Sequence, residues 1–99
     1  MRSDTAVLEK EKTITIDDES WNVILHNNDQ TPMDFVVFVL ATIFKKSIEE
    51  SIQITLNIHN NGQSVVETYS SYEVAEQKVE EVHNIAQNNG WPLKASVSK

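Results

Sequence analysis

The chain has 99 residues, enough for one small domain with a single core. It contains no cysteine, which excludes disulfides, thiolate metal sites and a cysteine nucleophile. A formal net charge of −7 argues against polyanionic partners, because phosphate binding needs a basic face, and it suits ligands that carry positive charge.

Residues 1–20 alternate acids and lysines with few large apolar side chains, and they read as a flexible charged arm. Within the arm, Thr13-Ile14-Thr15-Ile16 has strand-like alternation. The arm has no apolar signal-peptide core, and no later run is long enough for a membrane span. A cytoplasmic protein that touches neither membrane nor nucleic acid is expected. The core domain is expected over 21–99.

Trp21 to His26 predicts a strand. The turn Asn27-Asn28-Asp29-Gln30-Thr31 follows, with Thr31 as a helix cap and Pro32 as the first helical residue. The helix is predicted over Pro32–Lys46, with Phe35, Val36, Val39, Leu40 and Ile43 at helical spacing. Ser47-Ile48-Glu49-Glu50 reads as a capping box opening a second helix, in which Ile48, Ile52, Thr55, Leu56 and His59 occupy overlapping faces. Gly62 is the expected left-handed stop. Ser64 to Tyr69 predicts a strand, and Ser70-Ser71-Tyr72-Glu73 reads as a second capping box. The third helix carries Val74, Val79, Val82, Ile85 and Ala86 and ends at Asn89-Gly90, before Pro92. Leu93 to Val97 predicts a last strand. The order βααβαβ implies an α/β (α+β) domain: a small three-stranded antiparallel sheet with three helices packed on one face.

Taken alone, the segment 27–33 supports two readings. One is an ordinary Asx turn and helix start. The other is a polar turn that receives a small cation, with Met33 flexing over an apolar hole. A hydrolase would need His26 or His59 with Asp29, but the chain has no Gly-x-Ser-x-Gly elbow and no recognisable oxyanion site. A metal site from His26, Asp29 and His59 lacks any His-Glu-x-x-His pair. No enzyme activity, cofactor or metal is expected.

Four blocks in order carry a family resemblance: Asn27 through Val37, Ile58-His59 ahead of Gly62, Glu73-Val74-Ala75-Glu76-Gln77-Lys78-Val79, and Pro92-Leu93. With them the sequence resembles the ClpS adaptors, N-degron receptors that feed substrates to an AAA+ Clp unfoldase. The resemblance implies that Asn27, Asp29 and His59 surround the α-ammonium group of a substrate's first residue. It also implies a side-chain pocket walled by Leu25, Thr31, Met33, Val36, Thr55, Ile58 and Leu93, made for first-residue Leu, Phe, Tyr or Trp. Met33 would be the gate against β-branched residues. Glu73 and Lys78 match positions implicated in docking on the N-terminal domain of a ClpA- or ClpC-type unfoldase, with the adaptor a monomer.

Two positions depart from the family pattern. Asn28 stands where the family usually has an acid. Thr55 stands where many members carry methionine, which predicts a wider and wetter pocket. A peptide-binding adaptor of relaxed specificity, accepting Ile or Val, or a non-degradative interaction module, is the alternative reading.

Overall fold

The computed structural model describes residues 20–99. The arm expected over 1–20 and the alternation at 13–16 lie outside the described residues, apart from Ser20. Six elements follow in the order β1 (Trp21–His26), α1 (Met33–Thr42), α2 (Ile48–Asn61), β2 (Gln63–Tyr69), α3 (Tyr72–Asn88) and β3 (Lys94–Ser98). The strands form one antiparallel sheet in the order β2-β1-β3, so the first strand is central. The α+β class and element order are as the sequence implies.

The central strand is driven by its alternation. Val23 and Leu25 are fully buried, while Asn22, Ile24 and His26, which alternate with them, are only half-buried. α3 lies across the sheet, α2 runs along β2, and α1 rests on α2. Val36, Val39, Leu40, Ile43 and Phe44 join Val79, Val82, Ala86, Leu93 and Ala95 in one continuous core. Of the expected apolar face of α3, Val79, Val82 and Ala86 are buried, Ile85 is half-buried and Val74 is exposed.

The register between β1 and β2 shifts between Val23 and Ile24: Val23 faces Glu67 while Ile24 faces Val65. The extra residue, Val66, is buried. This bulge turns both Val66 and Glu67 toward the helices. The Glu67 carboxylate accepts a hydrogen bond there from Lys46 Nζ at 2.7 Å.

Three local expectations need correction. α1 starts at Met33, not Pro32, and Thr31 does not cap it. Pro32 has an extended ψ of 145° and is itself the boundary residue; its carbonyl accepts from the amides of Phe35 and Val36. α1 also ends four residues early, at Thr42, because Lys45 adopts a left-handed φ of 58° that a helix cannot continue. The cap of α3 is Ser71, whose side chain accepts from the Val74 amide, so Ser70 and Glu73 do not form the expected box. The Ser47 cap and the Gly62 stop of α2 form as expected, with Ser47 Oγ accepting from Glu50 N at 3.1 Å and Gly62 at φ 88°.

Candidate functional site

The turn from β1 to α1 is organised by Asn28. Its side-chain oxygen accepts the Gln30 amide at 2.9 Å and the Thr31 hydroxyl at 3.4 Å. This is an Asx turn, closed further by the Thr31 amide donating to the Asn28 carbonyl. Asn28 is therefore occupied in holding the loop, and its neighbours Asn27 and Asp29 are left exposed on either side. The amide of Asn27 donates to the carbonyl of Gly62 at 2.8 Å, which ties this turn to the end of α2.

That bond brings two distant stretches of sequence to one place. A cleft of about 310 Å³ opens between the turn, the first turn of α1, the last two turns of α2 and the approach to β3. Asn27, Asp29 and His59 are among its polar lining residues. Thr31, Met33, Val36, Thr55, Ile58 and Leu93 supply most of its wall. Leu25, expected in that wall, is a correction. Its side chain is 0% exposed in the core, on the inward face of the central strand, and it does not line the cleft.

His26, Asn28 and Pro32, outside the expected ammonium site and pocket wall, also line the cleft. The Nε2 of His26 lies 2.8 Å from Ser96 Oγ, a bond that fixes the imidazole to β3. Adjacency to Asn27 in sequence was the signal available for it. Among the described residues no group of three His, Cys, Asp or Glu side chains is arranged to hold a metal ion. No helix there is long and apolar enough to cross a membrane.

Thr55 is buried, and its hydroxyl donates to the Ser51 carbonyl one turn back at 2.7 Å. The hydroxyl hydrogen is thus taken up by the helix backbone, while the oxygen keeps its lone pairs. Met33, in contrast, is 42% exposed, at the mouth and free of the core.

Electrostatically, the two helix ends framing the cleft offset one another. The start of α1 carries about half a positive charge and the end of α2 about half a negative one. The full charge of Asp29 decides the sign of the local field. The arrangement offers an amide oxygen, a carboxylate and an imidazole beside an apolar hole. That set can accept three hydrogen bonds from a cation and bury a side chain attached to it.

Glu73 is exposed in the first turn of α3, whereas Lys78 is half-buried. The Lys78 ammonium reaches the Ile43 carbonyl at 3.5 Å and Glu81 at 3.7 Å. Five residues apart, the two side chains leave the helix about 140° from one another.

The fold is thus a three-stranded α+β domain with an acceptor-rimmed, largely apolar cleft, the form of a small binding domain. A family model described as ATP-dependent Clp protease adaptor protein ClpS matches residues 17–96. The adapter protein ClpS of Desulfatibacillum aliphaticivorans is 51% identical over 77 residues, covering 78% of this chain and 73% of its own. That of Bartonella quintana is 46% identical over 93 residues, covering 94% and 84%. Among solved structures, Agrobacterium tumefaciens ClpS2 bound to L-phenylalaninamide superposes with a TM-score of 0.78 at 29% identity, over 81% of this chain and 95% of that one. The chain belongs to the ClpS family and is an adaptor protein of the ATP-dependent Clp protease.

Proposed function

We propose that this adaptor binds the free N-terminal residue of N-degron substrates, with Leu, Phe, Tyr or Trp first, and delivers them to a ClpA- or ClpC-type AAA+ unfoldase. The observation that carries the reading is the meeting of Asn27, Asp29 and His59 around one cleft whose remaining wall is largely apolar. An α-ammonium group has three N–H bonds to satisfy, and these are three acceptors of the right kind. Asp29 adds a charge-assisted bond, of a class contributing about 1.5–3 kcal/mol. Burial of a large first side chain against Met33, Val36, Thr55, Ile58 and Leu93 contributes a further 1.5–3 kcal/mol or so. A charged first side chain is excluded by its desolvation cost. The phenylalaninamide held by the Agrobacterium relative is a free amine beside an aromatic side chain, the same pair of groups.

Docking on the unfoldase N-terminal domain is assigned to the α3 face that presents Glu73. Lys78 contributes less directly, since its ammonium already bonds to the Ile43 carbonyl just past α1 and pairs with Glu81. The adaptor acts without catalysis of its own, as a cytoplasmic monomer with no cofactor. Thr55 favours a second reading within the same class, in which the shorter side chain admits first-residue Ile and Val.

Labelled peptides differing only at the first residue test the proposal. Free Phe, Leu, Tyr and Trp peptides should bind, and N-acetylation or Asp29→Ala should weaken binding by about tenfold to a hundredfold. Equal affinity for free and acetylated peptides overturns the reading. Adding the adaptor to its unfoldase and peptidase should accelerate ATP-dependent degradation of proteins with such N-termini.

A further inference from the structure

A second depression of about 360 Å³ lies beside the cleft, lined by Pro32, Asp34, Phe35 and Trp91. It is shallow and open, and Pro32 belongs to both. Trp91 is 36% exposed, Asp34 is exposed, and Phe35 is half-buried. Asp34 sits in the first turn of α1, where a carboxylate offsets the helix dipole. That role does not account for an indole brought against the same spot from the segment between α3 and β3.

We infer that this groove is a subsite for a basic side chain, Lys or Arg, at the second or third residue of the peptide whose first residue fills the cleft. The inference rests on the N-terminal-residue reading above. Continuity supports the occupant: Pro32 lines both the cleft and the groove, and at about 3.3 Å per residue an extended peptide leaving over Pro32 reaches the groove with its second or third residue. The lining supports the chemistry. A carboxylate beside two aromatic rings matches a cationic head, while the methylene stem of Lys or Arg covers the proline and indole. An aliphatic side chain would desolvate Asp34 without pairing it, and an acidic one would be repelled.

The test uses Phe-initiated peptides carrying lysine or its neutral analogue acetyl-lysine at position two or three, in an otherwise alanine tail. The affinity ratio of lysine to acetyl-lysine is the readout, in wild type, Asp34→Asn and Trp91→Leu. Wild type should prefer lysine by roughly three- to tenfold at one of the two positions. The ratio should fall to near one in Asp34→Asn and be reduced in Trp91→Leu. A wild-type ratio near one overturns the subsite. So does a lysine preference that persists undiminished in both variants, since the overall charge of −7 would then be its source. If free-amine Phe peptides bind no better than acetylated ones, the N-terminal-residue reading fails first and the subsite falls with it. Tight binding of the alanine-tailed peptide without a lysine gain sinks the subsite alone.

Discussion

Thr55 donates its hydroxyl hydrogen to the carbonyl of Ser51 at 2.7 Å, and this bond decides what the cleft wall offers a ligand. With its hydrogen given to the helix backbone, Thr55 has no hydroxyl donor left to offer the cleft. The Thr55→Val variant, nearly the same shape, should bind Leu and Phe peptides within about twofold of wild type. A larger change in Thr55→Val would mean that the hydroxyl meets the ligand. The variant Thr55→Met fills space instead, and should reduce binding of first-residue Ile and Val by about tenfold relative to Leu, in the range that one or two carbons command in such pockets. If wild type rejects Ile and Val as strongly as Thr55→Met, Met33 alone is the gate.

Ser51 itself is fully buried, and its Oγ has no partner among the described residues. An unsatisfied buried hydroxyl costs about 1–3 kcal/mol, and alanine is the better helix former. Ser51→Ala should therefore raise stability by about 1 kcal/mol and Tm by about 4–8 °C for a domain of this size. The carbonyl that Thr55 uses is retained, so peptide affinity should not move. A lower Tm on thermal denaturation would show that the hydroxyl is satisfied in solution.

The same helix shows where the sequence could be read and where it could not. Ser47 and Gly62 bound α2 through local chemistry, a side-chain cap and a left-handed stop, and both were legible. The inward face was not. Ile48, Ile52 and Leu56 are exposed, at 60%, 44% and 41%, while Ser51 and Thr55 are buried. Small residues let α2 lie close to its neighbours, and periodicity that counts only apolar residues cannot see that choice. The left-handed Lys45 had no glycine to announce it, and the apolar Ile43 and Phe44 extend the helical pattern past the true end. Of the site, the residues quoted for Asn27, Asp29, His59 and most of the wall do share a cleft, because family spacing supplied what periodicity could not. Leu25 was misplaced because strand alternation fixes only which face a residue takes, not whether a cavity opens above it.

Lys46 and Glu67 join the loop after α1 to the bulged strand. The Glu67 carboxyl is held below its ordinary value of 4.5, chiefly by the hydrogen bond from Lys46, against a smaller opposing effect of burial. A carboxyl with a lowered folded pKa contributes stability above its unfolded value, and that contribution is lost as pH falls through the folded one. Glu67→Gln should therefore be less stable than wild type at pH 7, by about 0.5–1 kcal/mol given the partial exposure of the pair. The difference should shrink below pH 4.5 and vanish further down. Urea midpoints at pH 7, 5, 4 and 3 measure it, and a difference independent of pH would assign the loss to packing.

Gly62 couples stability to the site. At φ 88° it terminates α2, and its carbonyl takes the amide of Asn27, so the strand-to-helix turn is hung from the end of the helix that carries His59. A β-carbon added at Gly62 would meet no atom within 4 Å, so the cost of Gly62→Ala is conformational, about 1–2 kcal/mol for a left-handed residue. Relief of that strain would rotate the Gly62 carbonyl and move Asn27 relative to His59. The expected result is a Tm lower by about 4–8 °C per kcal/mol, together with peptide affinity reduced by about two- to fivefold at temperatures where the variant is folded. Gly62→Asn should lose less on both measures, because asparagine tolerates the left-handed region. If Gly62→Ala lowers Tm but binds peptide as wild type does, the turn holds its shape through Asn28 alone, and the Asn27–Gly62 bond does not position the site.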